Sequence, residues 1–270
     1  MNWKSLLVFF VLLGQTLLAV RNCPRCNYLL QPETLQCPKC LKLVEWPYLP
    51  PRTRQGRVIV RTGKDAFIRH PSSQNRAWKS SANAGADLSG QIGTWGFVTG
   101  LRYLVCFDVS RGFADAGIDL IAFRPRRVWL RLVVADNQIN QQIPVRVYPL
   151  SRPFQEGSGR FHIRSKNPDG ATWNDSAPML SWHVPGGDYH EDPSATGILG
   201  ADGQKEAMID VSAIYRWHLQ NFQLTGKWED FGMIIMRDAK VPAKCSFLTI
   251  YSFESKANGA QVLAPQLFFE

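Results

Sequence analysis

A period-two pattern of apolar side chains in the run Arg126–Ala135 is the strongest constraint on the fold of this 270-residue chain. Val128, Leu130, Leu132 and Val134 recur with a period of two, which is typical of a strand with one buried face. Comparable runs occur at Arg102–Ser110, Ile143–Leu150, Ala207–Val211, Phe231–Arg237, Ser246–Ser255 and Pro265–Glu270. Many short strands separated by long turn-rich loops predict an all-β fold, an antiparallel β-sandwich of jelly-roll type.

One short helix and one buried turn are also expected within this sandwich. Ser212 is predicted to cap a helix over Ala213–Asn221 that carries Trp217. The stretch Gly170–Asp175 surrounds Trp173 with small and polar turn-forming residues. Because so large an aromatic side chain is unsuited to a solvated loop, we expect Trp173 to fill the core, and we expect the same of Trp217.

The first residues have the pattern of a secretory signal peptide. Lys4 precedes the apolar run Leu6–Leu13, and the small residue Ala19 follows, so residues 1–19 are predicted to be removed on export. An uncleaved membrane anchor is the alternative. The apolar stretch is shorter than the about 20 residues that a spanning helix needs, so a stable membrane span is not expected. The predicted location is therefore secreted or cell-surface.

Two C-P-x-C motifs follow the predicted signal peptide. Cys23 and Cys26 form the first pair, and Cys37 and Cys40 form the second. Four thiolates at this spacing suit a closed, tetrahedral structural zinc site, so residues 20–44 are predicted to be a zinc-ribbon-like module. Two disulfide bonds are the alternative, which an oxidising compartment would favour. The module is also a candidate contact for a protein partner.

The net charge of +9 is concentrated near the N-terminus. Residues 21–64 carry nine basic and two acidic side chains, whereas residues 65–270 carry 21 basic and 20 acidic ones. Residues 45–64, rich in proline and arginine, are predicted to form a linker and the first strand. Because the main body is electrically balanced, its charge does not support binding to nucleic acid.

Ten short motifs follow one another in a defined order over residues 65–270. They are Asp65–Ile68, Arg102–Ser110, Val128–Val134, Ile143–Tyr148, Gly170–Asp175, Gly186–Tyr189, Ile209–Ser212, Asn221–Met236, Phe247–Glu254 and Pro265–Leu267. In this order they resemble the DNRLRE domain, a group that overlaps carbohydrate-binding module family 96. The resemblance implies a jelly-roll β-sandwich that is exported, non-catalytic and able to bind a polysaccharide or cell-surface polymer. The chain departs from the pattern in its long loop Gln74–Gly100, which leaves the identity of the glycan open.

Candidate sugar-binding residues lie in the predicted loops. Carbohydrate-binding sandwiches stack aromatic rings on sugar rings and bind hydroxyl groups with polar side chains. The candidates are Trp78, Trp95, Trp182, Tyr189, Arg76, Arg164 and Lys166. Packing of each tryptophan against the edge of a sheet is the alternative.

Asp188, Glu191 and Asp192 form a candidate calcium site, since three acids in five residues can supply the oxygen ligands that calcium needs. A charged surface turn has the same composition.

Neither H-E-x-x-H nor G-x-S-x-G occurs, so no catalytic residue is assigned and enzyme activity is not expected. A structural or adhesive surface protein with protein partners is the alternative function, and an accessory to a polysaccharide lyase or hydrolase is the third. Cys106 and Cys245 are either buried thiols or a disulfide bond.

Overall fold

The computed structural model describes residues 58–70, 82–95, 99–120, 122–136, 142–160, 169–200, 205–225, 231–239, 246–254 and 263–270. Nearer the N-terminus it describes only two short strands, β1 (Arg21–Asn22) and β2 (Leu29–Leu30), which pair antiparallel. The predicted signal peptide, the four N-terminal cysteines and most of the predicted linker lie outside the described residues.

Antiparallel strands make up most of the described structure. They are β3 (Val58–Arg69), β4 (Ser89–Trp95), β5 (Thr99–Phe107), β6 (Val128–Asp136), β7 (Ile143–Pro149), β8 (Asp175–Ala177), β9 (Leu180–Ser181), β10 (Ala195–Leu199), β11 (Glu206–Asp210), β12 (Phe231–Arg237), β13 (Ser246–Tyr251) and β14 (Gln266–Phe269). Two helices accompany them in these ranges, α1 (Val109–Asp115) and α2 (Ser212–Thr225). Neither is long and apolar enough to cross a membrane.

Ten of these strands form one continuous antiparallel sheet that folds over on itself. Its order is β10-β7-β12-β5-β3-β14-β6-β13-β4, with β11 added beside β6 and a further pairing between β4 and β5. The long strand β3 joins the two layers, because Val58–Arg61 pairs with β14 while Thr62–Arg69 pairs with β5. The prediction of an all-β, sandwich-like fold is confirmed at this level.

Apolar side chains cover both faces of the layer that contains β5. Tyr103, Val105 and Phe107 point into the main core, which residues of both layers fill. The intervening Leu104 and Cys106 point the other way, into a second core on the outer face. Here residues 150–160 and 169–189, which we call the covering segment, fold over the sheet and bury it.

Several predicted boundaries need correction. β3 runs without a break from Val58 to Arg69, so the first strand predicted within residues 45–64 and the run that begins at Asp65 form one strand. The predicted strand Arg102–Ser110 ends at Phe107, where the Asp108 side chain accepts a hydrogen bond from the Arg111 amide (3.0 Å) and starts α1. The described residues therefore contain two helices where one was expected. β4 lies inside the predicted long loop Gln74–Gly100.

Helix α2 begins at the expected place but with different capping chemistry. Ser212 is its first residue, and Asp210 accepts hydrogen bonds from the amide (3.0 Å) and the hydroxyl of Ser212. The Ser212 oxygen accepts instead from the Val128 amide (2.9 Å), which ties the helix to β6. Trp217 is only partly buried and packs against the His190 ring (centroids 4.7 Å apart), so its placement in the core was wrong.

The buried face of α2 makes stability sensitive to pH. Burial, with a smaller effect of His190, lowers the pKa of His218 to about 4. Because the unfolded chain takes up this proton near the ordinary pKa of about 6.5, we expect the His218 contribution to stability to be complete above that value and lost as pH falls toward 4. Between pH 7 and pH 5 the loss should be about 2 kcal/mol in the free energy of unfolding.

Urea unfolding of the wild-type protein and of His218→Gln at both pH values measures this loss. The variant should lose about 2 kcal/mol less than the wild type over the interval, whereas the control His190→Gln should behave nearly as the wild type does. Equal pH dependence in wild type and His218→Gln would contradict the assignment.

Candidate functional site

The segment that covers the outer face is anchored by Trp173. Its ring makes an edge contact with the His70 ring (centroids 4.9 Å apart), and the Arg102 guanidinium carbon lies 4.7 Å from the ring centroid. The turn beneath the ring is closed by Thr172, whose hydroxyl oxygen accepts from the amides of Asn174 (3.2 Å) and Asp175 (3.0 Å). The predicted burial of Trp173 is confirmed, with 6% of the residue exposed.

Two tyrosines lie side by side where the covering segment meets the sheet. Tyr148 is the last outward-facing residue of β7, and Tyr189 belongs to the returning chain. Their ring centroids are 4.7 Å apart and the ring planes are tilted by 34°. A β-bridge between Leu150 and Tyr189 and a hydrogen bond from the His190 amide to the Pro149 carbonyl (3.0 Å) hold the pair in register. Both tyrosines are partly exposed, so the pair forms a small aromatic surface.

Two arginines flank this aromatic pair. Arg102 donates to the Gly186 carbonyl (2.6 Å), and burial lowers its pKa while Tyr189 and Tyr148 act in the opposite direction. Arg146 precedes Tyr148 by two positions on the same face of β7 and pairs with Asp238 (3.2 Å). Its pKa is raised by the hydrogen bond to Asp238 first, and Tyr148 adds to the effect. We call Tyr148, Tyr189, Arg102 and Arg146 the tyrosine face.

Asp188 positions the chain next to the tyrosine face. Its carboxylate accepts from the amides of His183 and Val184 (both 2.9 Å) and pairs with Arg152 (3.2 Å). Burial raises the pKa of Asp188, but the two amide hydrogen bonds and the His183 side chain together outweigh burial and leave the pKa below its usual value. Asp188 therefore clamps the loop of residues 183–188 in place.

The structure does not bring the three residues of the calcium hypothesis together. Asp188 is committed to amides and to Arg152, while Glu191 and Asp192 are exposed, and the three do not form a group with ligand spacing. Within the described ranges, the one set of three such side chains close enough to share an ion is Asp65, Glu156 and Glu254.

The predicted sugar-binding residues meet different outcomes. Trp182 lies in the second core with 4% exposed, and its indole nitrogen donates to the Thr172 carbonyl (3.0 Å), so neither ring face is free for stacking. Tyr189 lies on the tyrosine face. Trp95 is the last residue of β4 and pairs with Thr99. The remaining candidates, Trp78, Arg76, Arg164 and Lys166, lie outside the described residues, as does Cys245.

Sequence reasoning missed Tyr148, Arg102 and Arg146. A signal for two of them was present, because the alternation that buries Ile143 and Val145 puts Arg146 and Tyr148 on the opposite face of β7. No comparable signal joins them to Tyr189 or Arg102, which reach the same surface through tertiary structure. No family model matches the chain, and no curated protein matches it.

Proposed function

We propose that this protein is an exported, non-catalytic carbohydrate-binding protein whose sandwich is a jelly roll of the DNRLRE type. In this proposal the ligand is a polysaccharide or a cell-surface polymer. A signal peptide exports the chain, and a structural zinc ion bound by the four N-terminal cysteines organises residues 20–44. Support for the binding function comes from a single observation, the tyrosine face.

The tyrosine face combines the two chemistries that sugar recognition requires. The partly exposed rings of Tyr148 and Tyr189 offer apolar faces on which the C–H groups of a pyranose ring can pack. Arg102 and Arg146 beside them can donate to hydroxyl groups or to the carboxylate of a uronic acid. Arg102 and Arg146 both carry positive charge while Asp238 pairs with Arg146, and the remaining positive charge favours an acidic glycan over a neutral one.

The tyrosine face is also held rigid before any ligand arrives. Tyr148 is fixed by the pairing of β7 with both β10 and β12, and Tyr189 by its bridge to Leu150. Because ordering these side chains costs little additional entropy on binding, even a small contact area can give measurable affinity.

Affinity electrophoresis of the full chain in gels that contain neutral or acidic polysaccharides tests the proposal. Tyr189→Ala and Tyr148→Ala should each weaken binding by about 2 kcal/mol, roughly thirtyfold in Kd, as is usual for a central aromatic contact. Met208→Ala, which truncates a half-exposed side chain on β11, is the control and should bind as the wild type does. The proposal is wrong if no polysaccharide retards the wild-type protein, or if both tyrosine variants bind as tightly as the wild type does.

A second candidate is a structural or adhesive function with a protein partner. Met179 and Leu180 on the β8–β9 hairpin and Val184 just beyond it are exposed, and exposed apolar side chains close together are typical of protein-binding surfaces. Under this alternative a partner should co-purify with the wild-type protein and be lost from a Met179→Ser/Leu180→Ser variant. Retention on polysaccharide should then be absent.

A further inference from the structure

The turn of the β8–β9 hairpin presents apolar side chains to solvent. Met179 is 99% exposed and Leu180 is 60% exposed, and Pro178 beside them is partly exposed. Val184, just beyond the hairpin, is 65% exposed as well. We call Pro178, Met179 and Leu180 the apolar tip.

The hairpin register orders polar and apolar residues from its base to its tip. Asp175 pairs with Ser181 at the base, and Ala177 pairs with Leu180 one step further out. The two-residue turn that carries Met179 follows. The apolar side chains therefore lie farthest from the body of the sandwich, and the polar ones lie where the hairpin joins it.

The apolar tip carries no formal charge. Between Ser176 and Gly187 the sequence contains no aspartate, glutamate, lysine or arginine. At the hairpin base the Asp175 carboxylate accepts a hydrogen bond from the Ser181 hydroxyl (2.8 Å). An uncharged tip above a polar base matches the change from acyl chains to headgroups at the surface of a bilayer.

Hydrogen bonds within the protein satisfy backbone groups of this hairpin. The Ser176 hydroxyl donates to the Leu180 carbonyl (3.1 Å), and Arg152 Nη1 donates to the Ser181 carbonyl (2.8 Å). Pro178, in the turn, has no amide hydrogen to satisfy. Because an unsatisfied backbone group is costly away from water, these features let the tip leave water at a low cost.

Met179 occupies a backbone conformation that does not suit its side chain. Its φ is 62°, in the left-handed region that glycine and asparagine adopt most readily, and Pro178 precedes it as is usual in a type II turn. The side chain gains no packing within the chain in return, since it is almost wholly exposed. A contact outside the chain would use this side chain.

The size of the apolar surface favours lipid over a folded partner. The tip and Val184 together offer on the order of a few hundred Å². Each partner in a stable protein interface contributes about 800 Å², and a second copy of this chain would meet the same limit. A bilayer surface needs no complementary shape, so a small convex tip can enter it.

We propose that the apolar tip inserts into the headgroup and upper acyl region of a lipid bilayer and holds the protein reversibly at a membrane surface. Interfacial insertion of this kind reaches about 5–10 Å into the bilayer and needs no spanning helix. The buried Trp182, which follows β9, fixes the hairpin to the second core, so little ordering is needed on contact. The proposal does not depend on what the tyrosine face binds.

Co-sedimentation of the full chain with phosphatidylcholine vesicles tests the proposal, because this zwitterionic lipid does not attract the basic N-terminal residues. A Met179→Asn/Leu180→Asn variant should have a partition coefficient at least tenfold lower than the wild type, since each apolar side chain that leaves water contributes about tenfold or more. Leu224→Asn makes the same change at a leucine on α2 that is 85% exposed, and it should partition as the wild type does.

The variant at the tip is chosen so that misfolding does not mimic loss of binding. Asparagine suits the left-handed conformation at residue 179, so urea unfolding of Met179→Asn should show no loss of stability. Leu180→Trp supplies a direct readout of insertion. Its added tryptophan should shift its emission to shorter wavelength with vesicles and should be quenched by brominated phosphatidylcholine, beyond any change seen in the wild type.

The lipid contact is refuted if the wild type does not partition into the vesicles. It is also refuted if the double variant partitions as the wild type does while the added tryptophan of Leu180→Trp escapes quenching. A protein that co-purifies with a wild type unable to bind vesicles, and that is lost from the double variant, would assign the apolar tip to a protein partner instead.

Discussion

Replacement of Trp173 by alanine is expected to lower the free energy of unfolding by about 3–5 kcal/mol, the usual range for truncating a large buried aromatic side chain. The ring is 6% exposed and fills the second core between the sheet and the covering segment. Its removal would also take away the surface that Arg102 and the His70 ring contact. The covering segment would then lose the side chain that fixes it to the outer face.

Urea unfolding followed by circular dichroism measures this loss, with Trp217→Ala as the matched control. The same chemical change at Trp217 should have less than half the effect, because that ring is only partly buried, between His190 and its own helix. Trp173→Phe should recover a large share of the stability, since an aromatic side chain still fills most of the space. Similar losses for the two alanine variants would contradict a second core anchored by Trp173.

Gly85→Ala is the second substitution with a large expected effect, at about 3 kcal/mol or more. A Cβ atom at residue 85 would lie 2.0 Å from the carbonyl oxygen of Glu156 and 2.5 Å from its carbonyl carbon. Both are backbone atoms, and the same oxygen accepts the hydrogen bond from Asn83 (2.7 Å). Relief of the clash therefore requires the chain at Glu156 to move, which breaks this hydrogen bond in a buried region.

Gly63→Ala is the control for Gly85→Ala. The nearest atom to a Cβ at residue 63 is the Cys106 carbonyl oxygen at 3.6 Å, an ordinary contact, so the free energy of unfolding should change by less than about 0.5 kcal/mol. Chemical denaturation of both variants measures the difference. A Gly85→Ala protein as stable as Gly63→Ala would mean that the chain at Glu156 is not held as the structure describes.

The repeated strands were predictable because alternation is a local property. Phe231–Arg237 was predicted with its observed bounds, and the strand after Arg126 was displaced by only one or two residues. Burial of Trp173 also followed from local composition. By contrast, the start of α1 depends on one side-chain contact of Asp108, and the periodicity of the preceding strand gives no indication of it.

The second core was harder to foresee, because a single strand does not reveal what covers its outer face. Alternation assigns Leu104 and Ile234 to the solvent-facing side of their strands, yet both are apolar. Apolar residues at such positions are the sequence signal that this face of the sheet is covered. Trp182 was misassigned for this reason. Its surroundings resemble a surface loop, yet the loop itself forms part of the core.

The tyrosine face depends on contacts over long sequence distances. Arg102 is 84 residues from Gly186, whose carbonyl accepts its hydrogen bond, and no spacing rule brings such residues together. The calcium hypothesis was based on acids that lie close in sequence, namely Asp188, Glu191 and Asp192. In the structure Asp188 accepts backbone hydrogen bonds, whereas Glu191 and Asp192 are exposed. A single sequence indicates which residues can do chemistry but not which of them meet.

The two strands of the large sheet with only one described neighbour have a consequence for self-association. These are β10 and β11, each five residues long, while β4 closes the opposite side by pairing with both β5 and β13. Free strand edges can add a strand from another molecule, a route to aggregates and fibres. In the described part of the large sheet a second copy would find two short edges, and the acids Glu206 and Asp210 lie at the ends of one of them. Because β4 is paired on both sides, it offers few free backbone groups to a strand from another molecule, which disfavours the merging of sheets from separate molecules.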